Sequence, residues 1–238
     1  TGMLSGCGFI EWLLEDEEDF YEEEQETEGE DGTEDSGSTV SLSERGTVIS
    51  QENGKLVIDR RSREQEIPMG EDGWTIFVYL CGSDLESDGG AASDDIEEAL
   101  AAYPSQQIRV VYQTGGSSYW YQDISDDRLE RFVLENGELQ KVDERPNANM
   151  GDAGTLSEFL IWGVQHYPAE RMGVILWDHG SGSINGVCFD EQYEYDSLGV
   201  TEMAAAFDRV YDSMTDRFEF IGFDACLMST LEVANQLV

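Results

Sequence analysis

Four short, strongly apolar runs recur along the last two thirds of the chain: Trp74 to Leu80, Ile108 to Tyr112, Gly173 to Trp177 and Phe218 to Phe223. Trp74 to Leu80 is a continuous β-branched and aromatic run, as expected of a strand buried on both faces of a sheet. Strands of that kind need cover above and below, which right-handed crossovers supply as helices. Helical segments are expected between them: Ala91 to Tyr103, with Ser93 as N-cap and Pro104 as stop, and one opened by the capping-box pattern Thr155-Leu156-Ser157-Glu158 and ending near Tyr167-Pro168. Val200 to Met214, and a last stretch from about Leu227, complete the helices. Leu129 to Val142 has Glu135-Asn136-Gly137 between alternating runs and reads as an antiparallel hairpin attached to the sheet. The fold class is therefore α/β, an open, mostly parallel sheet with helices on both faces.

The first third obeys a different logic. Of the 25 positions from Glu11 to Asp35, 15 are acidic and none is basic. A run that repels itself and holds little apolar surface cannot offset its ordering entropy, and a disordered spacer is expected. Ahead of it, Leu4-Ser5-Gly6-Cys7 resembles the lipobox of bacterial lipoproteins, in which the Cys is acylated; a chance small-residue tetrapeptide is the alternative. Behind it, Thr47-Val48-Ile49 and Lys55-Leu56-Val57-Ile58 flank Asn53-Gly54 as a small hairpin. Arg60-Arg61-Ser62-Arg63 follows, the only basic cluster, serving either charge balance or processing by a basic-specific protease. The expected organisation is the end of a signal peptide over 1–6, an acidic tether or pro-region with a hairpin over 7–66, and a folded domain over 67–238.

The chain carries 52 acidic and 13 basic residues, a net charge of −39, which argues against a nucleic-acid partner because phosphates demand a basic face. No run of eighteen or more apolar residues occurs, so a membrane tie would be a lipid at Cys7 or peripheral. Cys81, Cys188 and Cys226 are widely spaced without a Cys-x-x-Cys pair, which disfavours a zinc site or a disulfide framework. Asp84, Glu86, Asp88, Asp94 and Asp95 crowd the loop after the first strand, either holding a calcium ion or forming a solvated acidic face.

In open α/β sheets ligands bind at the carboxyl ends of the strands. Val174 to Trp177 runs into Asp178-His179-Gly180-Ser181-Gly182-Ser183, and Phe220 to Phe223 into Asp224-Ala225-Cys226-Leu227-Met228. A thiol and an imidazole thus leave one sheet edge from consecutive parallel strands, as covalent thiol catalysis requires. Cys226 would gain thiolate character from the helix N-terminus expected at Leu227. His179 would protonate the leaving amine and activate water. The N–H groups of Gly180 and Cys226 could face an oxyanion, and Asp224 could line a pocket for a basic side chain. The only other histidine, His166, ends a helix and meets its dipole. Cys81 is expected to pack, and Cys188 to lie in a short strand.

The blocks Trp74 to Ser83, Ile175 to Ser183 and Ile221 to Met228 resemble the clostripain family of cysteine peptidases, over roughly Gly73 to Val238. The resemblance implies a caspase-like fold and an endopeptidase cutting after Arg or Lys with a Cys226/His179 dyad and Asp224 in the specificity pocket. It also implies secretion, proteolytic activation and, in some members, calcium dependence. No cofactor is needed for the chemistry. The sequence stops 12 residues past Cys226, where the family fold is expected to continue and to supply a second pocket carboxylate. Between His179 and Cys226 the only basic residues, Arg209 and Arg217, fall in regular structure, which leaves Arg60, Arg61 and Arg63 as the better activation site. The alternative is a non-catalytic acidic surface lipoprotein binding cationic peptides or calcium.

Overall fold

The computed structural model describes residues 40–41, 48–52, 55–59, 73–102, 107–214 and 217–237. The lipobox-like segment at Cys7, the acidic run expected to be a spacer and the arginines at 60, 61 and 63 lie outside them. Strands β1 (Val40–Ser41), β2 (Val48–Glu52) and β3 (Lys55–Asp59) form a small antiparallel sheet. β2 and β3 are the expected hairpin, with Glu52 opposite Lys55.

The main domain runs β4 (Trp74–Cys81), α1 (Ser83–Gly89), α2 (Ala91–Ala102), β5 (Ile108–Gly115), β6 (Arg128–Glu135), β7 (Glu138–Pro146), α3 (Ala153–His166) and β8 (Arg171–Trp177). It continues with α4 (Gly182–Asn185), β9 (Val187–Asp190), β10 (Asp196–Leu198), α5 (Val200–Tyr211), β11 (Phe220–Asp224) and α6 (Leu231–Leu237). Six strands make one sheet in the order β11-β8-β4-β5-β6-β7, parallel from β11 to β5 and antiparallel from β5 to β7. Asn136 and Gly137, at φ 54° and 76°, supply the left-handed pair that a two-residue hairpin turn needs between β6 and β7.

Alternate residues of the central strands feed two cores. Ile76, Val78, Leu80, Ile175 and Trp177 pack with Ile96, Ala92 and Ala99 of α2. Phe77, Tyr79, Val174 and Leu176 pack with Phe159 and Leu160 of α3 and with Met203, Phe207 and Val210 of α5. Both faces are therefore covered, as the unbroken apolar runs demand. Arg131 of β6 is fully buried beneath α3, where Gln113, Asp143 and Glu158 take its guanidinium and the Trp162 ring lies 4.3 Å away.

Five local expectations are corrected. The acidic segment after β4 is helix α1 rather than loop. Gly90, at φ 72°, ends it, and Ser93 lies inside α2, where its N–H and hydroxyl both donate to buried Glu86. α3 starts before Thr155 because the Asp152 carboxylate accepts from the N–H groups of Gly154 and Thr155, a better-placed cap; Glu158 instead turns to Arg131. α5 stops at Tyr211, before Met214. The last helix begins at Leu231, four residues later than expected.

Chain order fixes where a site can form. From β4 the chain moves outward through β5, β6 and β7, then returns to the other side of β4 for β8 and β11. Connections diverge between β4 and β8, and a crevice opens at their carboxyl ends.

Candidate active site

Three loops meet at that crevice. Asp178, directly after β8, is 3% exposed and ties them together. Its carboxylate accepts from the Ser83 hydroxyl after β4 at 2.5 Å and from the Phe189 N–H of β9 at 2.5 Å, and its own N–H donates to the Asp224 carbonyl of β11. Burial pushes its pKa upward, against these hydrogen bonds.

His179 follows, half-exposed, with Nε2 2.9 Å from Asp84 Oδ1. With the proton on Nε2 the ring donates to Asp84, and Nδ1 is left as the acceptor. Asp84 belongs to the first turn of α1. Ser83 before it stands at φ 44°, a left-handed conformation rare outside glycine. Cys226, a free and exposed thiol, lies in the turn after β11, and Leu227 beside it stands at φ 61°. Each of the two turns thus holds one non-glycine residue in a sparsely populated conformation, which costs on the order of 1–3 kcal/mol and tends to gather at functional sites.

Gly180 joins the imidazole loop to the thiol turn. A Cβ at this position would stand 2.0 Å from the Cys226 carbonyl oxygen and 3.1 Å from Ala225 Cβ. Only a bare backbone lets residues 179–180 lie against residues 225–226. Gly180 also bridges Val187 of β9, and Gly182, at φ 63°, approaches the Leu227 carbonyl. The structure therefore brings His179, Gly180 and Cys226 to one rim.

One element of the expected chemistry is corrected. With α6 starting at Leu231, Cys226 is five residues from the helix, and a dipole that fades within one turn does not reach it.

Asp224, the last residue of β11, is 6% exposed and pairs in register with Trp177. No donor among the described residues meets its carboxylate. Burial, and then the charge of Asp95, push it up to about 7. Asp95 of α2 accepts from the Trp177 indole N–H at 2.6 Å and is itself raised to about 6, chiefly by burial, with that hydrogen bond opposing.

The rival groups are placed elsewhere. His166 ends α3, at the amino end of β8, with Nδ1 2.8 Å from the Trp162 carbonyl and its ring stacked on Trp162. Cys81 and Cys188 are fully buried and desolvation raises both thiols, which makes them unreactive. The acidic residues considered for calcium are dispersed on helices. Glu86 is taken by Ser93 and the Tyr121 N–H, Asp95 by Trp177, and Asp84 by His179. Among the described residues no group of three or more His, Cys, Asp or Glu could hold a metal ion.

Sequence reasoning missed Ser83 and Asp84 as parts of this site. The signal was present, since Cys81-Gly82-Ser83-Asp84 leaves the carboxyl end of a third parallel strand under the same rule that singled out His179 and Cys226.

Comparison with known proteins shows the family and the fold. The family model described as the clostripain family, peptidase C11, matches residues 78–238. Clostripain of Hathewaya histolytica is 26% identical over 189 residues, which is 67% of this chain and 35% of that protein. A secreted C11 cysteine protease from Bacteroides thetaiotaomicron, solved with an irreversible peptide inhibitor, superposes with a TM-score of 0.54 at 20% identity, covering 69% of this chain and 46% of that one. An inactive zymogen C11 protease from Parabacteroides distasonis gives 0.50 at 22% identity, covering 69% and 45%. The shared fold is α/β and caspase-like, and this chain spans less than half the length of these relatives.

Proposed function

The chain belongs to the clostripain family, and from that premise we propose that it provides the nucleophile-bearing part of a cysteine endopeptidase that cuts after Arg or Lys. His179 accepts the Cys226 proton, and the thiolate attacks the scissile carbonyl. The N–H groups of Gly180 and Cys226 face the oxyanion, and His179 returns the proton to the leaving amine. Water activated by the same imidazole then clears the acyl-enzyme. Asp84 holds the ring and is a positioning residue. Asp224 receives the cationic side chain of the substrate, whose approach a net charge of −39 would accelerate.

The observation that carries this reading is the seating of Gly180 on Cys226, which puts the imidazole loop and the thiol turn side by side. Secretion, a lipid anchor at Cys7 and activation by cleavage at Arg60, Arg61 or Arg63 belong to the same proposal. A relative described as secreted supports the first by analogy, and one described as an inactive zymogen supports activation by cleavage.

The test is hydrolysis of a fluorogenic peptide with arginine before the scissile bond by the full-length protein, beside Cys226→Ala and His179→Ala. Loss of turnover in both variants is expected. Turnover that survives Cys226→Ala would refute thiol catalysis, and none in the wild type would favour a binding lipoprotein.

A further inference from the structure

The carboxylate that the specificity reading relies on is not alone. Phe220 packs into the core on the α2 side of the sheet, and strand alternation then puts Gly222 and Asp224 on that same side. Trp177, level with Asp224 on the neighbouring parallel strand, faces the same way, and its indole N–H holds Asp95. Asp95 and Asp224 therefore flank one indole. Asp224 lies deep, at 6% exposure, and Asp95 is half-buried nearer solvent.

A buried and a half-buried carboxylate sharing a site without a cation are unfavourable, since burial and mutual repulsion both oppose the charged forms. Asp95 ionises more readily, and its charge is what Asp224 feels. The other carboxylates acting on Asp95 are Glu98 and Asp94, on its own helix. Asp224 has no hydrogen-bond donor among the described residues, and its oxygens are not among the fully enclosed unpartnered atoms, so the carboxylate faces space that a donor can enter.

We propose that Asp95 is a specificity-determining residue: with Asp224 it forms a two-carboxylate well for the guanidinium or ammonium of the substrate residue before the scissile bond. Asp224 is the floor and Asp95 the mouth. α2 then adds a carboxylate to the pocket. A planar guanidinium can donate to two carboxylates at once, so the well favours Arg over Lys. This inference rests on the proposed peptidase function.

The experiment compares kcat/KM of the full-length enzyme on two fluorogenic peptides that differ only in arginine or citrulline before the scissile bond. Citrulline keeps the shape and removes the charge. Asp95→Asn retains an acceptor for the Trp177 indole and removes only the carboxylate charge; Asp95→Ser serves if the Asn variant does not fold. The well predicts a loss of about tenfold or more on the arginine peptide, mainly in KM, with the citrulline peptide within about twofold of wild type. It also predicts that Asp95→Asn adds little once Asp224→Asn is present. An arginine preference unchanged in Asp95→Asn, but lost in Asp224→Asn, would overturn the role of Asp95 and leave the specificity reading intact. A wild-type enzyme that treats arginine and citrulline alike would overturn the specificity reading itself. Equal losses on both peptides would reduce Asp95 to an anchor for Trp177.

Discussion

His179 Nε2 stands 2.9 Å from Asp84 Oδ1, so the imidazole that follows β8 is held by a carboxylate that follows β4. The two strands are neighbours at the point where the sheet's connections diverge. The proposed dyad from the ends of β8 and β11 thus has, in Asp84, a positioning group from the other side of the sheet's point of divergence.

Asp84→Asn offers an amide N–H to Nε2 and favours the tautomer in which Nδ1 carries the proton, leaving no base for Cys226. A fall in kcat of about 10²-fold is expected with KM nearly unchanged, and Asp84→Glu should recover part of it. Steady-state kinetics on the arginine peptide reads this. A change confined to KM would assign Asp84 to substrate binding.

Gly180→Ala sets a methyl group on the Cys226 carbonyl and forces the two loops apart. Overpacking of this kind costs about 1–3 kcal/mol, and the loss of catalytic geometry should exceed that, at about 10²-fold or more in kcat/KM. Thermal melting with kinetics separates the two effects.

His166→Ala tests the reading of the second histidine. Its ring rests on Trp162 at the far end of β8, so kcat/KM should stay within about twofold of wild type, with a stability loss of about 1 kcal/mol. A catalytic collapse in a folded variant would make His166 the base.

Stability should fall as pH rises through Asp224. Its folded pKa of about 7 is above the usual carboxylate value, so between roughly pH 4 and 7 the native state holds a proton that the unfolded chain has released. More protons on the native side means stability decreases with pH, and the penalty is complete above about pH 7. Asp178 acts in the same direction. Asp224→Asn escapes its share. Its melting temperature should match wild type near pH 4 and exceed it at pH 8 by about 4–8 °C, for a buried charge costing on the order of 2 kcal/mol. A deficit at pH 8 would show that a donor stabilises the Asp224 charge.

The four apolar strands and their helical cover were legible because burial on both faces leaves a direct mark on the sequence, and Asn136-Gly137 marks its hairpin in the same way. Helix ends were less legible because they depend on tertiary competition. Asp152 outbid Thr155 as a cap, and Glu86 drew Ser93 into a buried bond that no local pattern records. The placement of His179 and Cys226 at the ends of adjacent parallel strands could be read from the strand pattern alone. Asp84 also leaves a strand end, but its pairing with His179 depends on the order of strands in the sheet, and the place of Asp95 depends on which face of β11 meets α2.

The central claim is that the Cys226 thiol reacts because His179 is beside it. Alkylation by an arginyl chloromethyl ketone, followed by peptide mass mapping of the full-length protein, tests this most directly. The account predicts an adduct on Cys226, none on buried Cys81 or Cys188, and a rate about 10²-fold slower in His179→Ala. Labelling of Cys226 at the same rate without the imidazole, or an adduct elsewhere in its place, would contradict it.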